Sequence, residues 1–433
     1  MKKVLFICYY WPPSGGIGVH RCLKFVKYLR NFGWEPIVFA PSNPAYPIED
    51  ESNFKDIPEG ITIIKRPIWE PYDLYKKLVG KKKEERIHQV FIEEENEPKF
   101  AKKLGIWIRG NFFIPDARKF WIKPSVKFLS EYLKDHQVDA LFTDSPPQSL
   151  HLIACGVKEN LNIPWLADFQ DPWTQVDYYS QLMLTPIADS IHKRLEQKVF
   201  RTADKITICS NTWTRDLESI GAKNVGTIVW GFDEDDFNKI NVELDKKFTL
   251  SHFGSLGPDR NAQTLWKALS ILVKEDSQFM EDLRLQLVGF IDKNIVEEIK
   301  SLGLENNIKK IDHIERSETL KMMCSTQVLL LILNKAYNVM GRLPGKLFEY
   351  LGAKRPIINV GPEESDAAKI ISDAGAGFSA DFDDLNKTVK ILKEFYRSFK
   401  ENKLLPNKND ISQYTNKNLT GKLASLLDKI SSN

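Results

Sequence analysis

The stretch "GRLPGKLFEYLGAKRPII", residues 341–358, predicts a short helix that leads directly into an apolar strand. Pro344 suits the start of a helix, where its missing N–H is not needed, and Gly352 indicates the end of the helix two turns later. Lys346 and Glu349 are three residues apart, so this spacing places their side chains on one face of the helix. A helix followed at once by a buried strand is the repeating unit of a parallel α/β sheet.

Apolar segments and helical patterns alternate along the rest of the chain in the same way. Residues 4–8 predict a strand, residues 18–32 an amphipathic helix that Gly33 ends, and residues 36–40 the next strand of a βαβ unit. A long helix is predicted at 183–201. Further strands are predicted at 139–144, 164–169, 205–210, 248–257, 283–290, 327–333 and 355–361. The fold class is therefore α/β, with a doubly wound, Rossmann-like sheet in each half.

Size and composition indicate a globular protein with two domains. The chain has 433 residues, too many for one hydrophobic core, and a net charge of only +3, which does not favour nucleic acid as a partner. The five cysteines are scattered without a CxxC pair, which argues against disulfides or a zinc site and favours the cytoplasm. No apolar segment approaches the ~20 residues of a membrane-spanning helix. The first apolar segment, followed by Trp11-Pro12-Pro13, is interpreted as a strand and not as a signal peptide.

Two segments bear on the domain organisation. Residues 229–237, "VWGFDEDDF", collect turn-forming and acidic residues and predict the joint between the halves. The end of the chain carries an apolar stripe at helical spacing, which predicts an amphipathic helix that needs a partner surface. Its members are Leu419, Leu423, Leu426, Leu427 and Ile430.

Residues 76–123 interrupt the alternation of strands and helices. A basic segment at 76–86 and an acidic one at 92–97 precede a mixture of aromatic and basic residues at 101–123. Such a mixture is typical of a membrane-surface element. The alternative is an insertion that packs its aromatic side chains on its own domain. The candidates for contact with a membrane or an acceptor are Trp107, Arg109, Phe112, Phe113, Arg118 and Lys119.

Two glycine-rich turns follow strands and precede helices, where doubly wound sheets bind ligands. In the first, Gly15 and Gly16 allow a ligand to approach the backbone and the helix N-terminus behind them. This is a poor dinucleotide fingerprint, because Arg21 stands where the third glycine belongs. In the second, "FGSLGPDR" places Gly254 and Ser255 before Arg260, which is suited to bidentate phosphate binding. A tight turn without a ligand is the alternative for the first turn.

The helix at 344–352 offers a complementary set of groups. Its N-terminus and Lys346 are suited to a diphosphate, and Glu349 is suited to accept hydrogen bonds from two vicinal hydroxyls of a ribose. The alternative is a solvated ion pair between the two side chains, worth a few tenths of a kcal/mol.

Together these segments resemble the GT-B glycosyltransferases of family 4. "PPSGG", "GSLGPDR" and "PGKLFEYLGAKRPII" carry the resemblance, and "VDALFTDSPPQSLHLIA", "WLADFQDPWT" and "HIERSETLKMMCSTQVLLLIL" follow the family in the same order. The resemblance implies two Rossmann-like domains facing across a cleft, with a terminal helix that crosses back to the first. The domains are then 1–228, completed by 408–433, and 229–407.

The resemblance also implies roles for individual residues. Glu349 would bind the donor ribose, while Lys346 and Arg260, the latter in place of a lysine of the family, would neutralise the leaving phosphate. Gly15 and Gly16 would line the cleft. Further donor contacts are implied for Gly254, Ser255, Gly341, Arg342 and Leu343.

Three positions depart from the family's pattern. Gly341 replaces the first glutamate of its E-x7-E motif, leaving backbone N–H groups to meet the donor sugar. Ser255 replaces an arginine, for which Arg342 is a candidate substitute. "DFQDPW" replaces a region with a histidine, and Asp168, Gln170 and Asp171 are its polar candidates, with Asp171 expected to orient the sugar or acceptor.

The expected function is transfer of a sugar from a UDP-sugar or GDP-sugar to a saccharide or lipid-linked acceptor in cell-surface polysaccharide or glycoconjugate synthesis. The resemblance implies retention and no metal or other cofactor, and we hypothesise front-face displacement. The location expected is the cytoplasm, with peripheral contact to an anionic membrane, and no nucleic acid partner is expected. The alternatives are a GT-B-fold sugar-nucleotide 2-epimerase and, because of Gly341 and Ser255, a non-catalytic sugar-nucleotide-binding protein.

Overall fold

The computed structural model describes residues 1–71, 99–312, 314–404 and 409–432. The basic and acidic segments at 76–86 and 92–97 lie outside the described residues, as does the predicted boundary between 407 and 408. The chain divides into two compact units. The first comprises Met1–Val229 and Lys417–Asn433, and the second comprises Trp230–Asn416.

The first unit is built on a seven-stranded parallel sheet with the order β3-β2-β1-β4-β5-β6-β7. Its strands are β1 Lys2–Ile7, β2 Trp34–Pro41, β3 Thr62–Arg66, β4 Ala140–Ser145, β5 Trp165–Phe169, β6 Lys205–Ile208 and β7 Val225–Thr227. Its helices are α1 Ile17–Tyr28, α2 Lys99–Phe112, α3 Lys119–Asp135, α4 Ser149–Leu161, α5 Pro186–Thr202, α6 Asn211–Ser219 and the terminal α15 Asn416–Ser431.

The second unit has a six-stranded parallel sheet with the order β10-β9-β8-β11-β12-β13. Its strands are β8 Phe248–Phe253, β9 Leu283–Val288, β10 Ile308–Ile311, β11 Val328–Ile332, β12 Ile357–Val360 and β13 Gly377–Ala380. Its helices are α7 Glu234–Phe237, α8 Gln263–Glu275, α9 Ser277–Asp282, α10 Lys293–Ile299, α11 Arg316–Ser325, α12 Gly345–Ala353, α13 Asp366–Asp373 and α14 Leu385–Lys400.

The central strands are nearly continuous apolar runs because helices cover both faces of a parallel sheet. In β1, Val4, Leu5, Phe6 and Ile7 are fully buried, and all of β11 is buried as well. The predicted α/β class, with a Rossmann-like sheet in each half, is confirmed.

The terminal helix α15 packs on the core of the first unit, as predicted. Leu419, Leu423 and Leu427 are buried in one cluster with Val4 and Phe6 of β1. The amphipathic stripe therefore finds its partner surface on a sheet whose first strand lies more than 400 residues earlier in the chain.

The prediction that Gly352 ends its helix is wrong. Helix α12 continues to Ala353, and Lys354 takes the left-handed conformation that ends it, with a φ of 55°. Gly352 is needed for packing instead, because a Cβ there would lie 2.6 Å from the ring of Phe237 and 2.8 Å from that of Phe232.

None of the described helices combines the length and the apolar character that crossing a bilayer requires.

Leu423 provides a test of the packing of α15. We expect Leu423→Ala to lower the free energy of unfolding of the first unit by about 2–5 kcal/mol, because it leaves a cavity at a fully buried site. The exposed neighbour Lys422 serves as control, and Lys422→Ala should change it by less than about 0.5 kcal/mol. Urea denaturation followed by tryptophan fluorescence measures both. Equal effects would contradict this packing.

Candidate functional site

The candidate site of the second unit lies where β8 and β9 end. Gly254 has a φ of +103° and Gly289 a φ of +116°, which favour glycine. A Cβ on Gly289 would lie 2.8 Å from the carbonyl oxygen of Gly254, so the two backbones approach more closely than side chains permit. Gly254 and Ser255 are both exposed. The turn therefore presents bare backbone at the edge of the sheet.

Lys346, in the first turn of α12, reaches this turn. Its Nζ lies 3.4 Å from the position that a Cβ of Gly254 would take, and 3.4 Å from Nε2 of His252. Nδ1 of His252 lies 3.2 Å from the carbonyl oxygen of Leu330. Because a carbonyl only accepts, Nδ1 carries the proton and Nε2 is left to accept from the lysine.

His252 is a contact that the sequence analysis missed. It is fully buried in β8, and burial together with the charge of Lys346 lowers its pKa well below the usual value, which keeps it neutral. The only signal in the sequence is a titratable residue within the apolar strand "FTLSHF", immediately before the glycine turn.

Burial and, to a smaller extent, the nearby charge of Arg260 lower the pKa of Lys346 to about 7, although Glu349 acts in the opposite direction. Arg260 follows the turn and is 29% exposed, with Nε 3.6 Å from a carboxylate oxygen of Asp259. The two predicted phosphate ligands, Lys346 and Arg260, are therefore close enough for the charge of Arg260 to lower the pKa of Lys346.

Glu349 does not form the alternative ion pair with Lys346. Its Oε1 accepts a hydrogen bond of 2.5 Å from Nη1 of Arg316, and Nη2 of Arg316 lies 3.2 Å from Oδ2 of Asp236. Arg316 was not among the sequence-predicted residues. Asp236 belongs to the acidic segment 229–237 that was predicted as the joint between the halves, and Asp233 of that segment caps α7 through the N–H of Asp235.

The loop before α12 offers less than predicted. The N–H of Gly341 donates to the carbonyl of Asn338 at 3.4 Å, and that of Arg342 donates to Val339 at 3.0 Å. These two N–H groups are therefore engaged within the loop's own turn. Leu343 is buried, with 4% of its surface exposed, so its side chain is part of the core.

In the first unit, Gly15 and Gly16 differ in their surroundings. Gly15 is buried, and a Cβ there would lie 2.8 Å from the side chain of Ile48, whereas Gly16 is exposed with a φ of +77° at the N-terminus of α1. Gly16 is thus the position at which a ligand has access to the backbone.

The three polar candidates at the end of β5 differ in exposure. Asp168 is fully buried and paired with Arg21, whose Nε lies 2.5 Å from its Oδ2. Asp171 is partly exposed beyond the strand end and contributes to raising the pKa of Tyr178. Gln170 donates to Asp144 at 2.8 Å, and burial raises the pKa of Asp144. Asp171 is the one of the three candidates that is accessible.

Arg118 is not at the surface, contrary to its selection as a membrane contact. It is 3% exposed, its Nε lies 3.1 Å from Glu70, and its guanidinium packs over the ring of Tyr9. The basic and aromatic composition of the surrounding segment suggested a surface position, but the charge of Arg118 is paired with Glu70 inside the unit.

The segment 101–123 contains both buried and exposed aromatic side chains. Trp121 is buried and stacks on Phe39 with ring centroids 5.0 Å apart. Phe112 is 59% exposed and Phe120 is 42% exposed, and Lys119 donates to the carbonyl of Phe112 at 2.6 Å. Trp107 and Phe113 are partly exposed, and Arg109 is exposed.

No family model matches the chain, and no curated protein sequence matches it. Solved structures match it over its whole length. A mutant of S. aureus TarM in complex with fondaparinux, alpha-GlcNAc-glycerol and UDP has a TM-score of 0.59 at 10% identity, covering 99% of this chain and 100% of that one.

The lipopolysaccharide outer core galactosyltransferase WaaB has a TM-score of 0.56 at 12% identity, covering 99% of each chain. The chain has the GT-B fold. A Listeria monocytogenes protein assigned as a UDP-N-acetylglucosamine 2-epimerase shares it, with a TM-score of 0.55 at 10% identity, covering 100% of this chain and 97% of that one.

Lys346 predicts a pH dependence for the binding of pyrophosphate or a nucleoside diphosphate. An anion favours the charged amine, so binding should raise the pKa of Lys346 and take up a proton. Affinity should then fall by roughly tenfold per pH unit above about pH 8. Titration calorimetry in buffers of different ionisation enthalpy measures both the affinity and the proton uptake. Lys346→Met should abolish the slope; an unchanged slope would assign it to another group.

Proposed function

We propose that this protein is a glycosyltransferase that moves a sugar from a nucleoside diphosphate-sugar to a saccharide or lipid-linked acceptor. The observation that carries the proposal is the arrangement on α12 of a GT-B fold. Lys346 lies beside the exposed glycine turn together with Arg260, and Glu349 follows one helical turn later. These are a cationic and an anionic group at the spacing of a diphosphate and its ribose.

The proposed chemistry is stabilisation of the leaving group. Cleavage of the bond between sugar and diphosphate builds negative charge on the phosphate, and prepositioned cations stabilise that charge. Lys346 and Arg260 are proposed to do so without a metal ion, with the backbone of Gly254 and Ser255 closing on the phosphates. Retention by front-face displacement, inferred from the resemblance to family 4, is part of the proposal.

Further roles are proposed for the first unit. Asp171 is accessible at the end of β5 and is proposed to orient the acceptor or the transferred sugar. The N-terminus of α1 behind Gly16 offers N–H groups to an anionic part of the substrate. The UDP and alpha-GlcNAc-glycerol in the TarM structure support substrates of this class. A role in polysaccharide or glycoconjugate synthesis in the cytoplasm is part of the proposal.

A sugar-nucleotide 2-epimerase is the second candidate, favoured by the full-length similarity to the Listeria monocytogenes structure. An epimerase turns over the sugar nucleotide without an acceptor. NMR of UDP-N-acetylglucosamine incubated with the protein therefore separates the two, because only an epimerase produces the 2-epimer.

Donor binding has a direct test in Lys346 and Glu349. We expect UDP or GDP to raise the melting temperature, because a ligand that binds the folded state stabilises it. Lys346→Met and Glu349→Ala should each remove most of this rise and of the sugar transfer. The exposed Lys390 is a matched control, and Lys390→Met should bind as the wild type does.

If neither diphosphate shifts the melting temperature, the proposed donor site is wrong. If UDP or GDP binds but no sugar nucleotide is hydrolysed, transferred or epimerised, the protein is a binding protein and not an enzyme.

We also propose peripheral contact with an anionic membrane through the exposed aromatic patch of the first unit. Trp69, 57% exposed, packs against Phe120 at 4.7 Å, and Phe112 extends the patch, which Arg109 and Lys119 flank with positive charge. Aromatic side chains beside cations suit the headgroup region of a bilayer.

Vesicle flotation tests this contact. Phe112→Ser combined with Phe120→Ser should weaken binding to vesicles of phosphatidylglycerol and phosphatidylcholine by roughly tenfold or more, through lost apolar burial. Phe378→Ser, an exposed phenylalanine of the second unit, is the control. Equal flotation of wild type and double variant would refute the assignment of this patch.

A further inference from the structure

The acidic group proposed to hold the ribose is itself held by a chain of charges. Arg316, the first residue of α11, donates from Nη1 to Glu349 on α12 at 2.5 Å and from Nη2 to Asp236 on α7 at 3.2 Å. One guanidinium thus joins three helices that are distant in sequence. Its fork is rigid and planar, so two simultaneous contacts fix both carboxylates in direction as well as in distance.

The two carboxylates that Arg316 joins differ in exposure. The Asp236 side chain is 4% exposed, that of Glu349 is 18% exposed and that of Arg316 is 26% exposed. Asp236 is therefore the buried anchor, and Glu349 is the end nearer to the surface. Burial opposes the charge of Arg316, but the two carboxylates and their hydrogen bonds raise its pKa above the usual value. The guanidinium therefore remains charged.

Only one oxygen of Glu349 is used. Among the described residues, Arg316 is the group that contacts this carboxylate within hydrogen-bond distance, and it does so through Oε1. The second oxygen, Oε2, remains to accept from a ligand. A carboxylate pinned by one oxygen and open at the other is preorganised for a hydroxyl donor.

We propose that Arg316 is a positioning residue, anchored by Asp236, that holds the carboxylate of Glu349 aimed so that its open oxygen accepts hydrogen bonds from the ribose hydroxyls of a nucleoside diphosphate. The inference rests on the proposed function and deepens it. Its consequence is specificity: a 2′-deoxyribose leaves a fixed, partly buried carboxylate without one of its two donors, and such a loss is penalised more heavily than the loss of a mobile contact.

The experiment compares UDP with 2′-deoxy-UDP, and GDP with 2′-deoxy-GDP, by titration calorimetry. The wild type should prefer one ribonucleotide over its deoxy counterpart by about tenfold or more. Arg316→Gln should reduce this ratio to roughly threefold or less, because it weakens the binding of the ribonucleotide and leaves the affinity for the deoxynucleotide nearly unchanged. Asp236→Asn should shift the ratio in the same direction by a smaller amount, and Arg316→Lys should restore part of it.

Arg397→Gln, at an exposed arginine of α14, is the control and should keep the wild-type ratio. Circular dichroism and melting curves establish that each variant is folded; Asp236→Asn and Arg316→Lys carry the test if Arg316→Gln does not fold.

Three outcomes overturn the inference. If Arg316→Gln weakens the binding of the ribonucleotide and of the deoxynucleotide equally, the ion pairs are merely structural. If it tightens ribonucleotide binding, Arg316 occludes Glu349. If the wild type binds neither UDP nor GDP, the proposed function fails first and the inference falls with it, which the wild-type titration alone reveals.

Discussion

The close approach of two glycine backbones at the ends of β8 and β9 is the constraint on which the candidate site depends. Gly254 and Gly289 take positive φ values, and a Cβ on Gly289 would meet the backbone of Gly254 at 2.8 Å. A side chain at Gly254 would occupy the space beside the amine of Lys346. The missing side chains therefore admit a cation to the sheet edge, where burial lowers its pKa.

Burying charges at this edge is unfavourable, and the structure offsets it in two different ways. For the cations, the neighbouring His252 stays neutral and accepts from Lys346 instead of adding a third positive charge. For the anion, Arg316 on α11 is the partner of Glu349, and Asp236 on α7 in turn pairs with Arg316. One helix of nine residues thereby presents a positive and a negative group on one face.

The edge of the first sheet is organised differently. Arg21 pairs with Asp168, which also accepts from Thr207 at 2.5 Å, and Arg21 donates further to the carbonyl of Ile228 at 2.8 Å. A buried, fully engaged arginine explains why the third glycine of a dinucleotide fingerprint is replaced here. The accessible groups that remain are the backbone at Gly16 and the carboxylate of Asp171.

The sequence by itself determined the central strands of both sheets, the helices α1, α5 and α12, the two glycine turns and the packing face of α15, because hydrophobic period and glycine conformation act over a few residues. The edge strands β3, β7, β10 and β13 were not predicted from it. Lys346 and Glu349 were predicted to share a face for the same reason. Only the tertiary structure decided that Gly352 packs against Phe237 and that Arg118 pairs with Glu70. The tertiary structure also brings Arg316 to Glu349, which lies 33 residues away in the sequence. Charges pair through space according to distance and burial, and a linear pattern of residue types carries neither quantity.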